Sequence, residues 1–207
     1  MGEGKEKMSI RKKIILAVIL VLLLAGGTLA VLGGYTPFYR TFLQAEAEPG
    51  FAEKIRGIEN IDYVAIINPE LYRGAYPVEN LPALKDLGIK TIINFRYMEI
   101  HSYEEEAEAA GFQYHWMPIN PGVPPDEKFI GRFFEIINNP ENQPVYIHCN
   151  MGIDRTGLMS GIYRIEHDGW NNERAVREME YFGHNELWHD LEEALKNYEK
   201  KGPVEGK

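Results

Sequence analysis

The stretch His148-Cys149-Asn150-Met151-Gly152-Ile153-Asp154-Arg155-Thr156-Gly157 holds the residue types and spacings that can do chemistry. It follows the apolar run Pro144-Val145-Tyr146-Ile147 and leads into a helical pattern, so it reads as a loop joining a strand to a helix. In such a loop several backbone N–H groups point at one spot, and the helix dipole adds a field that favours negative charge. Cys149, the one cysteine of the chain, sits in that field, which favours the thiolate and marks it as a nucleophile. Arg155, six positions on, can present a planar fork to two phosphate oxygens, a geometry that lysine lacks. Thr156 is expected to donate its hydroxyl to the sulfur, and Gly152 to supply backbone angles that a Cβ would obstruct. The backbone of Asn150, Met151, Gly152, Ile153, Asp154 and Arg155 is then the expected cradle for a phosphate.

A loop of this kind needs a sheet and a helix to hold it. From Asn60 onward short β-branched runs alternate with helical patterns, which predicts an α/β fold with a central, mostly parallel sheet flanked by helices. Strands are expected over Tyr63–Ile67, Leu71–Arg73, Thr91–Phe95, Gln113–Met117 and Val145–His148. Helices are expected over Val78–Leu87, Tyr103–Ala110, Asp126–Asn138, Thr156–His167, Asn172–Phe182 and Glu186–Lys200.

The segment from His148 to Gly157 resembles the Cys-x5-Arg phosphate loop of the cysteine-dependent protein tyrosine phosphatases, including the His before Cys and the Thr-Gly after Arg. The resemblance extends to Leu71-Tyr72-Arg73-Gly74-Ala75-Tyr76-Pro77, to Gly88-Ile89-Lys90-Thr91-Ile92-Ile93-Asn94-Phe95-Arg96 and to Glu178-Met179-Glu180-Tyr181-Phe182-Gly183-His184. It points to the compact atypical dual-specificity branch and spans most of residues 60–200. The resemblance implies attack by Cys149 on phosphorus, protonation of the leaving oxygen by an acid, and hydrolysis of a phosphocysteine, with no metal or other cofactor. A rhodanese-like sulfurtransferase also carries a loop cysteine, but the Arg-Thr-Gly and the x5 spacing argue against it. Low-molecular-weight phosphatases and arsenate reductases place their motif near the start of the domain, whereas here it comes late. A non-catalytic phosphate-binding module predicts a replaced Cys or Arg, and both are present.

The acid is where the sequence departs from that family. After the strand ending at Met117 the chain reads Pro118-Ile119-Asn120-Pro121-Gly122-Val123-Pro124-Pro125-Asp126-Glu127, with no Asp at the usual place. Asp126 is the first candidate, against the competing role of a helix N-cap. Asp154 is the rival, since myotubularin-like lipid phosphatases resemble this sequence in carrying Asp directly before Arg. That variant leaves inositol phosphates and phosphoinositides open as substrates beside phosphotyrosine, phosphoserine and phosphothreonine proteins. Arg73 and Arg96 end strand-like segments and are candidates for positive charge at the mouth of the site, and His148 for orienting the loop through its backbone. His184, Trp188 and His189 read as packing or rim, with no third ligand to complete a metal site.

The net charge of −9 conceals an asymmetry: residues 1–32 carry five Lys or Arg against two Glu, and the remainder 17 basic against 29 acidic. So acidic a domain, without a basic cluster, argues against nucleic-acid binding. Residues 14–32 are nineteen consecutive uncharged residues, long enough for a helix to span a bilayer. Basic residues 1–13 before them place the N-terminus in the cytoplasm and the acidic domain outside it, periplasmic in a bacterium. An uncleaved signal-anchor is favoured over a cleaved signal, whose apolar region is shorter. The expected organisation is a basic N-terminus over residues 1–13, a transmembrane segment over 14–32, a linker over 33–59 and a catalytic domain over 60–200.

Overall fold

The computed structural model describes residues 46–77, 80–98, 101–120, 122–184 and 189–202. The predicted transmembrane segment lies outside them, and among the described residues no helix is long and apolar enough to cross a membrane. Strand β1 is Glu53–Lys54, β2 Ala65–Asn68, β3 Leu71–Gly74, β4 Thr91–Asn94, β5 Gln113–Trp116 and β6 Val145–His148. Helix α1 is Leu81–Asp86, α2 His101–Ala109, α3 Glu127–Ile137, α4 Asp154–His167, α5 Asn172–Tyr181 and α6 His189–Lys196.

These strands form one mixed sheet in the order β1-β2-β3-β6-β4-β5. The parallel part expected from the sequence is β3-β6-β4-β5, and the antiparallel β1-β2-β3 ribbon corrects the reading at one edge. Strands β4 and β6 lie between neighbours and bury all four residues each, which explains their near-continuous β-branched and aromatic runs. Successive side chains point to opposite faces. Ile93 and Ile147 face a core completed by Phe133, Phe134, Leu158 and Met179, while Ile92 and Tyr146 face a second one with Leu84, Tyr103 and Phe112. Helices therefore cover both faces, and α4 is buried along most of its length because α5 and α6 pack over it.

The ordered body begins before Asn60. Residues 46–59, in the stretch read as linker, supply β1, and Ala52 is buried in the main core. Two residues leave no alternation to read, so β1 was invisible in the sequence. A buried cluster ties this segment down. Glu178 Oε1 accepts hydrogen bonds from Ala52 N at 2.7 Å and Arg164 Nη2 at 2.9 Å, while Arg164 Nη1 reaches Asp168 Oδ2 at 2.6 Å. Glu178→Ala is expected to cost about 3–5 kcal/mol, because it strands both the Arg164 charge and the Ala52 N–H. Asp168→Asn, at the partly exposed end, should cost less than about 1 kcal/mol. Urea unfolding of the two variants checks the contrast, and equal costs would refute it.

Candidate active site

Parallel register places Gly74 and Asn94 level with His148, on either side of it. The segments after β3, β4 and β6 therefore leave the sheet together at its carboxyl edge, where open α/β sheets bind ligands. Cys149 is the first residue beyond β6, only 2% exposed, and the loop runs from it into α4. Asn80, Asp126 and Asn171 cap α1, α3 and α5 with their side chains, but α4 has Ile153 at its N-cap and no side-chain cap. The first N–H groups of a helix have no intrahelical partners. At α4 they are left to the loop and to whatever anion it holds.

Loop shape depends on Gly152, where the sequence calls for a glycine's backbone, and on an Arg73 contact that local sequence does not signal. Gly152 has φ +71°, and a Cβ there would come within 2.4 Å of Gly74 C and 2.5 Å of Ala75 N, so no other residue fits this approach. Its carbonyl accepts from Arg73 Nη2 at 2.9 Å. Arg73 is wholly buried, with its guanidinium 3.7 Å from the centre of the Phe182 ring. Burial lowers its pKa to about 10, against the opposing pull of Glu178 and Cys149, so it remains a cation at neutral pH. The expectation of Arg73 at the mouth is thus corrected: it supports the loop from within the protein, because β3 lies beside β6 and its alternation turns this side chain inward.

Arg96 is partly buried with its guanidinium 4.1 Å from the centre of the Tyr76 ring, and Tyr76 N donates to Asn150 O at 3.1 Å. Arg96 thus reaches the loop through Tyr76. Arg155 is partly buried and its Nη1 lies 3.4 Å from Phe95 O, which sets the guanidinium at the end of β4. The Thr156 hydroxyl is buried without a hydrogen-bond partner, so the expected bond to the Cys149 sulfur is not made. A helical threonine has two accessible χ1 wells, and the sequence does not specify which is occupied. Asn150 and Met151 are exposed on the loop, whereas Ile153 is buried.

His148 Nδ1 lies 3.0 Å from Cys149 O, consistent with its orienting role. The ring is enclosed by Tyr76, Tyr103 and Tyr146. Burial pushes its pKa down to about 3, the hydrogen bond to Cys149 opposing and Arg96 and Arg155 adding to the shift. An unfolded histidine takes up a proton below about pH 6.5. The folded one resists until about 3, so this contribution to stability is complete above 6.5 and is lost as pH falls through that window. Urea midpoints measured from pH 7 to 4 should fall more steeply for the wild type than for His148→Gln. Parallel slopes would contradict a buried neutral imidazole.

The two candidate acids occupy different settings. Asp126 is exposed and accepts from Phe129 N at 2.8 Å as the cap of α3. Asp154, in the first turn of α4, is partly buried and its Oδ1 lies 2.7 Å from His184 Nδ1. The sequence alone gives His184 a packing or rim position. Its partner is thirty residues away, and no local spacing signals the pairing. His189 is exposed and Trp188 lies outside the described residues.

One hollow includes loop residues and a second lies beside Asp126. The first, of about 290 Å³, is lined by Asp62, Tyr63, Tyr76, Asn150 and Met151 among others, and the second, of about 280 Å³, by Trp116, Asp126, Lys128, Phe129 and Arg132. Asn60 and Tyr63, at φ 59° and 58°, bracket the first in a conformation that residues with side chains seldom adopt.

The family model described as "Tyrosine phosphatase family" matches residues 60–206. The dual specificity protein phosphatase TpbA of Pseudomonas aeruginosa is 25% identical over 172 residues, 83% of this chain and 72% of that protein. The inositol diphosphatase SIW14 of Saccharomyces cerevisiae is 36% identical over 89 residues, 43% of this chain and 25% of that protein. Among solved structures, TpbA of P. aeruginosa superposes with a TM-score of 0.63 at 24% identity, covering 73% of this chain and 92% of that one. The catalytic core of Siw14 superposes with a TM-score of 0.61 at 21% identity, covering 70% and 89%.

Proposed function

The chain belongs to the tyrosine phosphatase family and is a cysteine-dependent phosphatase; from that premise we propose that it hydrolyses phosphorylated tyrosine, serine or threonine in proteins through a phosphocysteine on Cys149. The observation that carries this reading is the uncapped amino end of α4, which adjoins a nucleophile at the end of β6 and a guanidinium at the end of β4. Cys149 attacks phosphorus in line with the leaving oxygen, while loop N–H groups and the Arg155 fork stabilise the charge on the equatorial oxygens. Arg73 supplies a fixed positive charge behind the loop and His148 fixes the Cys149 carbonyl. Dividing the displacement into two steps lets water complete the hydrolysis on the phosphocysteine.

Protein substrates are favoured by the residues beside the phosphate cradle. Between Cys149 and Arg155 the loop carries Asn150, Met151, Gly152, Ile153 and Asp154, with no cation among them. The adjoining hollow offers tyrosine rings, Met151 and the acidic Asp62, a lining suited to an aryl group and a basic neighbour in a peptide. A second reading, an inositol phosphate or phosphoinositide substrate, has Lys128 and Arg132 in the other hollow and the similarity to SIW14 in its favour. The full chain, assayed against phosphotyrosine peptides, phosphothreonine peptides and inositol phosphates, decides between them. Preference for a peptide with a basic residue beside phosphotyrosine is expected. Faster turnover of the inositol phosphates would reverse the assignment.

We further propose that residues 14–32 hold the protein to a membrane, with the acidic domain on the extracytoplasmic face. The uncharged run and the basic residues before it support this arrangement. Protease added to cells with an opened outer barrier should digest the domain and spare cytoplasmic controls. Protection equal to those controls would reverse the orientation.

A further inference from the structure

His184 lies just beyond α5, and its side chain is fully shielded from solvent. Its two ring nitrogens face two carboxylates. Nδ1 is 2.7 Å from Asp154 Oδ1, and Nε2 is 3.2 Å from Glu192 Oε2, within ion-pair range although not aligned as a hydrogen bond. Glu192 pairs in turn with Lys196 one turn further along α6, and chiefly this contact holds its carboxyl below the usual range. A neutral histidine buried in packing needs an acceptor for its single N–H, whereas this one has a carboxylate opposite each nitrogen. The near one belongs to the residue directly before Arg155.

We propose that Asp154 and His184 form the proton-donating pair of the reaction, with Glu192 holding the imidazole from its far side; the proposal rests on the phosphatase reading above. As the bond from Cys149 Sγ to phosphorus forms and the bond from phosphorus to the leaving oxygen breaks, the Asp154 carboxyl gives its proton to that oxygen. The pair is then one proton poorer. In the second step it takes a proton from the attacking water, whose oxygen bonds to phosphorus while the P–S bond breaks and Cys149 departs as thiolate. Asp154 is the catalytic residue in this scheme, and His184 is a positioning residue that acts through it. Asp126 Oδ1 accepts from Phe129 N, and in this scheme Asp126 has the capping role alone.

Charged groups facing the imidazole are Asp154 from α4 and Glu192 from α6, with Lys196 behind Glu192. Glu193 and Glu180 act on Lys196. A proton shared between a carboxylate and an imidazole belongs to the pair and is lost at a pH set by both.

The test compares His184→Asn, Glu192→Gln and Asp126→Asn with the wild-type full chain on an alkyl phosphate and on an aryl phosphate with an acidic phenol. His184→Asn keeps an N–H for Asp154 but cannot titrate. It should lose at least about tenfold in kcat on the alkyl phosphate at pH 7, less than about threefold on the aryl phosphate, and move the basic limb of the pH profile. Glu192→Gln should move that limb the same way by a smaller amount, and it stands in if His184→Asn fails to fold. Asp126→Asn should show neither effect. A loss in His184→Asn that is the same for both substrates and at every pH would mean a structural role and overturn the proposal, as would leaving-group dependence in Asp126→Asn. The phosphatase reading itself fails separately, through turnover by Cys149→Ser.

Discussion

Cys149→Ser is expected to lower phosphate release by on the order of 10⁴-fold or more while leaving the fold and the binding of inorganic phosphate in place. The serine hydroxyl matches the thiol in shape but is not ionised near neutral pH. His148, the nearest imidazole in sequence, is enclosed by three tyrosines and directs Nδ1 to the Cys149 carbonyl. The anion site does not depend on the sulfur. The uncapped end of α4, the buried Arg73 and the partly buried Arg155 all remain in the variant. Turnover with a soluble aryl phosphate and calorimetric titration with inorganic phosphate measure the two halves of the prediction. A variant that still turns over at a tenth of the wild-type rate would end the cysteine mechanism. One that turns over nothing and also fails to bind phosphate would show that the thiolate organises the cradle as well as attacking from it.

What could be read from the sequence was local. Strand β6, the loop and α4 are contiguous, so their apolar run, turn residues and helical pattern lie in one stretch that fixes Cys149 and Arg155 together. The Asp126 cap was legible for the same reason, since two prolines precede it and an apolar helical pattern follows. What escaped depends on residues distant in sequence. Arg73 approaches the loop only because β3 pairs with β6, and its bond to the Gly152 carbonyl bridges 79 residues. His184 meets Asp154 because α5 folds back along α4, and a lone histidine carries no mark of that. In the edge ribbon β1 is too short to show alternation, while the strand expected from Tyr63 is present as β2 but starts at Ala65, after the left-handed backbone at Tyr63.

Arg155→Lys is expected to lose at least about a hundredfold in rate, which corresponds to roughly 2.7 kcal/mol of transition-state stabilisation. The substitution keeps the positive charge, so a loss of this size reports geometry. A guanidinium in this place can give Nη1 to the Phe95 carbonyl, 3.4 Å away, and still present other N–H groups to two equatorial oxygens of the phosphoryl group. A lysine ammonium is a compact point charge on a flexible stem, and if it satisfies Phe95 it has no rigid second edge for the phosphate. Charge on the equatorial oxygens is arranged differently once phosphorus is trigonal and in flight, so the fork should matter more there than in the bound substrate. The loss should therefore appear mainly in kcat, with KM changed by less than about threefold. Arg73→Lys offers the contrast within the same protein. That side chain touches the loop at the Gly152 carbonyl from inside the fold, so its replacement should lower thermal stability and loosen phosphate binding together. If Arg155→Lys instead loses less than threefold in kcat, the guanidinium is not over the phosphoryl group, and Arg73 or Arg96 would have to supply the charge assigned to it here.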